Sequence, residues 1–266
     1  MKVLVWNVKG AKENRGHLWE YFSEFEPDVA LLQELGNTPS DISAGYSILC
    51  RKAYAGNGSD QIFSTAVAVK GEIVESIDFS TPWDWVNEEL ENFKGNIIAA
   101  KVRLANGETY NVASVYSPAW PIFERSRHTE IDVSPIKLKN NKDVWLTELL
   151  WAALKHDKHT EHPWIVAGDL NSSVTFDTLW SGGPHGNQEI QDRMSGLGLT
   201  ECLAFAQKQL TPTFKNPSNK QTIHQLDHLF VNDQMIERLE RCETADQERV
   251  FDERMSDHLA ILAEFT

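Results

Sequence analysis

The chain has 266 residues, 41% of them hydrophobic and nine of them tryptophan, which is enough to bury a substantial core and excludes a disordered protein. Its formal net charge of −14, from 39 acidic against 25 basic residues, argues against a protein held to nucleic acid chiefly by charge. An enzyme with a local basic edge, or with a cation in its cleft, is compatible with this charge.

Cysteine usage and hydropathy bear on the compartment and the domain organisation. The cysteines are odd in number, widely spaced and match neither a zinc spacing nor a disulfide framework, so we expect reduced thiols at Cys50, Cys202 and Cys242. The N-terminal apolar run is too short for a signal peptide, and no window approaches a membrane span. We therefore expect a soluble, cytoplasmic protein without a membrane partner. Because no repeat or linker is visible, the sequence predicts one domain over residues 1–266, with a monomer favoured.

The first part of the chain predicts several strands and one helix. Short apolar runs predict buried strands over residues 2–7 and 29–32. Between them, apolar residues at helical spacing predict an amphipathic helix over residues 15–25, which Pro27 and Asp28 end. Three further strands are predicted over residues 46–52, 62–70 and 73–79, with a polar loop over residues 55–61.

The second part opens with a hairpin. Asn106 and Gly107 separate strands predicted over residues 97–104 and 108–116, and this dipeptide suits a type I′ turn. An acidic, tryptophan-bearing insertion at residues 81–95 precedes the hairpin, and an irregular connection over residues 117–141 follows it. The remaining predictions are a helix over residues 144–154, a loop over residues 172–188, and strands over residues 164–167, 210–214, 225–232 and 259–265.

Polar side chains stand at or near the ends of several of these strands. In chain order they are Asn7, Glu34, Tyr116, Asp169 with Asn171, Asp227, and Asp257 with His258. Each has an ordinary explanation on its own, such as a turn that bonds its own backbone, a solvated carboxylate or a surface pair. Because α/β folds place function on loops held by a rigid sheet, the whole set in one fixed order indicates a functional site.

This set resembles a known family, the endonuclease/exonuclease/phosphatase superfamily, which includes AP endonucleases and deoxyribonuclease I. The resemblance covers nearly the whole chain and rests on Val5-Trp6-Asn7, the segment from Pro27 to Gln33-Glu34, Val115-Tyr116-Ser117-Pro118, Gly168-Asp169-Leu170-Asn171, the segment from Gln225 to Phe230, and Ser256-Asp257-His258. It implies an α/β protein with a four-layer α/β/β/α sandwich, in which two packed mixed β-sheets are flanked by helices. It also implies a divalent-metal-dependent phosphodiester hydrolase that acts by activated-water attack.

The expected metal is Mg²⁺, for which Mn²⁺ would substitute. Glu34 can bind a hard divalent cation through a carboxylate oxygen, with waters and a substrate phosphate in the remaining positions. Asn7 would complete that shell or orient Glu34. Asp257 is a second candidate ligand, which the family resemblance supports.

The remaining polar residues are predicted to perform the hydrolysis. Asp169 would accept the proton of the attacking water while Asn171 holds water or a phosphate oxygen. Asp227 and His258 have the character of a carboxylate–imidazole pair, in which the carboxylate favours the protonated ring and lets it donate to a phosphate oxygen. Tyr116 matches a tyrosine that some family members place near the phosphate as a hydrogen-bond donor.

Departures from the family pattern bear on the substrate. AP endonucleases usually continue Gln-Glu with a lysine at the second following position and carry Trp-Arg before the late Leu-Asp, whereas this chain has Leu35-Gly36 and His224-Gln225. A nuclease cleaving DNA or RNA without strong abasic-site specificity is therefore predicted. The alternatives are a phosphatase or phosphodiesterase acting on a nucleotide, an inositol phosphate or a lipid head group, and a non-catalytic binding module.

The loop over residues 119–142 is the predicted substrate-binding segment. It has a mild positive excess in a strongly negative chain, and its candidate contacts are Arg125, Arg127 and Trp120. The two arginines would follow a phosphate backbone while the tryptophan stacks on a base. The alternative is an ordinary solvated loop.

Overall fold

A computed structural model describes residues 1–56, 58–124, 126, 130–159, 161–179, 181 and 184–266. These residues form two six-stranded sheets. In spatial order, the first sheet contains β13 (Leu239–Thr244), β14 (Ile261–Phe265), β1 (Lys2–Ala11), β2 (Val29–Leu35), β4 (Asp60–Val69) and β3 (Ser47–Tyr54). The second contains β5 (Gly71–Ile77), β6 (Ile97–Leu104), β7 (Thr109–Tyr116), β8 (Trp164–Asp169), β12 (Asp227–Asn232) and β9 (Leu199–Glu201). A separate two-stranded sheet pairs β10 (Phe214–Lys215) with β11 (Thr222–His224).

The helices connect these strands and cover the sheets. They are α1 (Gly16–Phe25), α2 (Ser40–Gly45), α3 (Asp84–Asn92), α4 (Leu146–Lys155), α5 (Val174–Leu179), α6 (Asn187–Ser195), α7 (Cys202–Gln207), α8 (Asp233–Ile236) and α9 (Gln247–Asp252). Within the ranges that the structure describes, no helix is long and apolar enough to cross a membrane.

The two sheets pack face to face, with helices on their outer faces. The sequence of strand β1 suits this arrangement because both of its faces are apolar. Its side chains alternate, so Val3 and Val5 enter the core between the sheets while Leu4 and Trp6 enter the core beneath α1. The outer face of the second sheet is covered in the same way by apolar residues of α3, α4 and α6. The predicted four-layer α/β/β/α sandwich is therefore confirmed.

Strand direction places the ends of several strands together. In each sheet only one pair is parallel, β1 with β2 and β7 with β8, and the other pairs of the described sheets are antiparallel. Between the sheets, buried Gln33 on β2 donates from Nε2 to Ser114 Oγ on β7 at 3.0 Å. This bond ties the two parallel pairs together close to the strand ends that carry the polar residues.

The strand predicted over residues 210–214 was wrong except at its last residue, because β10 spans Phe214–Lys215. Two further predictions of local structure were also wrong. Of Asn106 and Gly107 only the glycine has a positive φ, 90°, and its N–H donates to Leu104 O at 2.9 Å, so the hairpin closes through a three-residue loop instead of a type I′ turn. Residues 172–188 were predicted as a loop, but they contain α5 and the start of α6. Helix α5 has no buried residue and α6 buries only Ile190 and Met194, so neither has a strong apolar period.

Helix α4 contains a buried carboxyl group, which leads to a stability prediction. Burial raises the pKa of Glu148 from 4.5 to about 7, although Thr147 Oγ1 donates to Glu148 Oε2 at 2.8 Å. Between these pH values the folded state holds a proton that the unfolded state releases, so the free energy of unfolding falls as pH rises from 4.5 to about 7. The expected loss is about 3 kcal/mol.

Replacing Glu148 by Gln should remove this pH dependence and stabilise the protein at pH 8 by up to about 3 kcal/mol. The measurement is urea unfolding of both proteins across the pH range, with Glu88→Gln on the exposed face of α3 as the matched control. A Glu148→Gln variant that keeps the pH dependence of the wild type would contradict the assignment.

Candidate active site

Six segments bring their polar residues to one end of the sandwich. Asn7 lies in β1, Glu34 in β2, and Tyr116 and Asp169 end β7 and β8. Asn171 follows β8, Asp227 begins β12, and Asp257 and His258 precede β14. Hydrogen bonds join most of these residues directly.

The pairing of β8 with β7 near the site depends on Gly168. Its φ is 145°, and a Cβ atom at this position would lie 2.0 Å from the backbone oxygen of Val115. Only glycine permits this close approach to β7, so the two strands stay paired up to the register of Tyr116 with Asp169.

Asn7 links two buried or half-buried carboxylates. Its Nδ2 atom donates to Asp169 Oδ2 at 2.9 Å and to Glu34 Oε1 at 3.1 Å. Its Oδ1 atom accepts the backbone N–H of Lys9 at 3.0 Å. The amide therefore orients Glu34 and Asp169 relative to each other.

The imidazole of His258 lies between two buried carboxylates. Its Nδ1 atom is 2.8 Å from Asp227 Oδ2, and its Nε2 atom is 3.9 Å from Asp169 Oδ2. Burial alone would lower the pKa of His258, but the charges of Asp227 and Asp169 outweigh burial and raise it. Burial also raises the pKa of Asp169, against the opposing charge of the ring. The arrangement holds a protonated imidazole beside a carboxylate of raised basicity.

Residues that the sequence did not single out hold this pair in place. Thr213 Oγ1 accepts the backbone N–H groups of Leu226 and Asp227 at 3.0 and 3.1 Å. The Phe214 ring packs against the His258 ring, with centroids 4.8 Å apart. Neither residue belongs to the polar set at the strand ends, and no local signal in the sequence marks them.

The backbone of His258 is fastened to β1. Its carbonyl oxygen accepts a hydrogen bond from Trp6 Nε1 at 2.9 Å, and Ser256 Oγ donates to the carbonyl oxygen of Asn7 at 2.7 Å. The Ser-Asp-His segment and the Trp-Asn segment of the sequence are thus one structural unit.

Tyr116 and Asn171 add hydrogen-bonding groups at the edge of the site. Burial, together with the charges of Glu34 and Asp169, raises the pKa of Tyr116, so its hydroxyl remains a donor at neutral pH. Asn171 has a φ of 46° and donates from Nδ2 to Ser117 O at 2.7 Å and to Asp169 Oδ2 at 3.3 Å. Its side chain therefore stays next to the Asp169 carboxylate.

The residues present fit a hard divalent cation at Glu34. Burial raises the pKa of Glu34, and none of the described basic side chains forms an ion pair with it, so its charge lacks a direct counter-ion. Asp257 provides a second carboxylate whose charge acts on Glu34, and its Oδ2 atom is 2.7 Å from Lys9 Nζ.

A second group of potential metal ligands is better suited to proton transfer. Asp169, Asp227 and His258 each offer an atom within 4.8 Å of the others. Because the protonated ring already balances the two carboxylates, this group has less need of a metal than Glu34 does.

Of the three predicted substrate-binding residues, the structure describes Trp120. Trp120 packs against Phe93, with ring centroids 5.9 Å apart, and against the backbone of Gly56. Arg125 and Arg127 lie outside the described residues.

Comparison with known proteins identifies the family. Residues 4–258 match the model of the Endonuclease/Exonuclease/phosphatase family. The chain belongs to this family. Its members act on phosphate esters, so the protein is a phosphoesterase, and metal dependence is general among them. No curated protein matches the sequence significantly.

Solved structures with the same fold have low sequence identity. A 3′ phosphatase, NExo, from Neisseria bound to a product DNA hairpin is 20% identical with a TM-score of 0.67, over 100% of this chain and 99% of that chain. An AP endonuclease from Archaeoglobus fulgidus is 17% identical with a TM-score of 0.69, over 100% and 99%. The catalytic domain of APE2 from Xenopus laevis is 14% identical with a TM-score of 0.67, over 100% and 91%.

Proposed function

We propose that this family member hydrolyses phosphodiester bonds of DNA or RNA with Mg²⁺ as its cofactor. The observation that best supports hydrolysis is the position of the His258 ring between the Asp227 and Asp169 carboxylates. Structural relatives bound to DNA or described as AP endonucleases support a nucleic-acid substrate.

A basic cavity next to the site favours an extended polyanion as the substrate instead of a small phosphate monoester. The cavity has a volume of about 450 Å³, and five of the nine described residues that line it are basic, in a chain whose net charge is −14. The five are Lys9, Arg15, Lys215, Lys220 and Arg254. Because Asp257 also lines this cavity, the positive surface begins at the reacting centre and could bind neighbouring phosphates of a strand.

Asp169, Asn171 and His258 have distinct roles in the proposed reaction. The Asp169 carboxylate accepts the proton of the attacking water, and Asn171 helps to hold that water beside it. The protonated His258 donates a hydrogen bond to a non-bridging phosphate oxygen, where negative charge develops. Tyr116 donates a second hydrogen bond from the edge of the site.

Glu34 and Asp257 would hold the cation, and Asn7 would keep Glu34 in position. A bound Mg²⁺ supplies charge neutralisation of the phosphate and assistance to the leaving oxygen. Mn²⁺ would substitute, because it also prefers oxygen ligands.

Removal of the metal should abolish activity. Treatment with EDTA should stop hydrolysis, and added Mg²⁺ or Mn²⁺ should restore it. Glu34→Gln should raise the metal concentration needed for the half-maximal rate, because the variant loses the charge that binds the cation. Full activity of rigorously stripped enzyme in excess EDTA would exclude the metal mechanism.

A substrate panel tests the proposed function against its alternatives. The panel contains plasmid DNA, a single-stranded oligonucleotide, an abasic duplex, inositol phosphates and bis-p-nitrophenyl phosphate, each with Mg²⁺ or Mn²⁺. Cleavage of the nucleic acids is the expected result. Hydrolysis of the inositol phosphates alone would favour the phosphatase alternative.

An abasic site should not strongly increase the rate. At the sequence positions where AP endonucleases carry lysine and tryptophan, this chain has Gly36 and His224, and the His224 ring packs on Phe176 with centroids 4.4 Å apart. The measurement is kcat/KM for matched intact and abasic duplexes. A preference above 100-fold, about 2.7 kcal/mol, would contradict this prediction.

We also propose that residues 1–266 form one domain. Val3, near the start of the chain, and Phe265, near its end, enter the same core between the two sheets. Strand β14 pairs with β1 along that core, which supports a single domain.

A further inference from the structure

The side chain of Lys9 reaches the proposed cation site. Its Nζ atom is 2.7 Å from Oδ2 of Asp257, one of the two carboxylates proposed above to hold the cation. The Lys9 side chain is 50% exposed, so its flexible stem has room to carry the ammonium away from Asp257.

The backbone of Lys9 is held beside this site. Lys9 has a φ of 49°, in the left-handed region that residues with a side chain rarely adopt. Its N–H is held by Asn7 Oδ1 at 3.0 Å, within the network that orients Glu34 and Asp169. Glu34 and Asn171 are also left-handed, with φ values of 51° and 46°, so strained backbone occurs at Lys9 and at two other site residues.

The charge of the Lys9 ammonium acts on both proposed metal ligands, Glu34 and Asp257. The charge of Lys9 lowers the pKa of Glu34, and the charge of Asp257 raises it. A carboxylate whose oxygen accepts an ammonium at 2.7 Å has its charge partly balanced, so it attracts a second cation less strongly. Lys9 and a divalent cation therefore have the same partner in Asp257.

We propose that Lys9 is a tethered cation that competes with the divalent metal for Asp257 and, once displaced, binds a phosphate oxygen of the substrate. The protein alone then binds metal weakly, because Asp257 is already paired. Substrate tightens metal binding, because a phosphate gives the displaced ammonium a new anionic partner.

The surroundings of Lys9 favour this exchange. Among the described residues that line the basic cavity, Asp257 is the one acidic residue, and four other cations lie there with Lys9. An ammonium that leaves Asp257 therefore stays among like charges, and a polyanion in the cavity relieves their repulsion. This second step rests on the proposed function, whereas the competition for Asp257 does not.

The first test measures Mn²⁺ binding to the protein without substrate, by isothermal titration calorimetry. Lys9→Met keeps the length of the side chain and removes its charge, so Mn²⁺ affinity should rise about tenfold, equivalent to ~1.4 kcal/mol. Lys9→Gln should act in the same direction. Lys12→Met is the matched control, because it removes an exposed lysine of the same segment and should leave the affinity unchanged.

The second test separates competition for Asp257 from general repulsion. In an Asp257→Asn background the shared partner is absent and only the repulsion between Lys9 and a cation at Glu34 remains, so Lys9→Met should increase Mn²⁺ affinity much less than in the wild-type background. An equal increase in both backgrounds, or no increase in the wild-type background, would overturn the proposal.

The third test concerns the displaced ammonium. At saturating Mn²⁺, Lys9→Met should raise the KM for a single-stranded oligonucleotide about tenfold, because one phosphate contact is lost. An unchanged KM would overturn the substrate contact. If no nucleic acid in the panel is cleaved, the proposed function fails, while the Mn²⁺ measurements still decide the competition.

Discussion

Asp169→Asn should lower kcat by about 10²–10⁴-fold while the protein remains folded, because general-base catalysis typically contributes this much. The substitution keeps the shape of the side chain and removes its ability to accept the proton of the attacking water. The measurement is kcat at saturating metal and substrate for the substrate that the panel identifies.

The hydrogen bonds of Asp169 show what else this substitution changes. The two carboxylate oxygens accept Asn171 N and Asn7 Nδ2, each at 2.9 Å, so an amide must turn its own NH₂ toward one of these donors. The resulting mismatch costs about 1–3 kcal/mol. Removing a buried charge of raised pKa opposes this cost, so we expect a small net change in the free energy of unfolding.

Asp157→Asn is the matched control for Asp169→Asn. Asp157 is also a hydrogen-bonded aspartate, with a side chain only 6% exposed, and it accepts a hydrogen bond from Trp164 Nε1 at 3.1 Å, at the other end of β8. Its substitution should lower stability and leave kcat unchanged. Near-normal turnover in Asp169→Asn would remove this residue from the mechanism.

The fold was predicted as far as apolar patterns and the family resemblance allowed. The strands with clear alternation or short apolar runs, such as β1 and β8, were found close to their predicted positions. The short helices after Asn171 were not predicted, because an exposed helix such as α5 leaves no apolar period in the sequence. The layer order came from the resemblance, since periodicity does not specify how two sheets pack.

The site was predicted as a set of residues but not as a network. The sequence placed Asp227 and His258 at strand ends, and their proposed pairing corresponds to a 2.8 Å contact. The bridge that Asn7 forms between Glu34 and Asp169 depends on how the two sheets meet, which no local pattern records. The same is true of Lys9, whose partner Asp257 comes from the opposite end of the chain.

His258→Ala should lower kcat at least as much as Asp169→Asn, because it removes the donor to the charge that develops on the phosphate. It also leaves Asp227 and Asp169 as buried carboxylates without their shared cation. Breaking a buried ion pair in this way destabilises a protein by about 3–5 kcal/mol, so the variant should be assayed alongside His258→Gln, whose amide keeps one hydrogen-bond donor.

Asp227→Asn should lower kcat less than His258→Ala, because it only weakens the orientation and charge of a ring that Phe214 still packs against. In the double variant Asp227→Asn/His258→Ala, the kinetic loss should be hardly larger than in His258→Ala alone, as expected for residues that act as a unit. The double variant should also unfold at a higher urea concentration than His258→Ala, because it removes one of the two uncompensated carboxylates. Losses in kcat that add would show that Asp227 acts separately from His258, and an unchanged urea midpoint would show that its buried charge is balanced by another group.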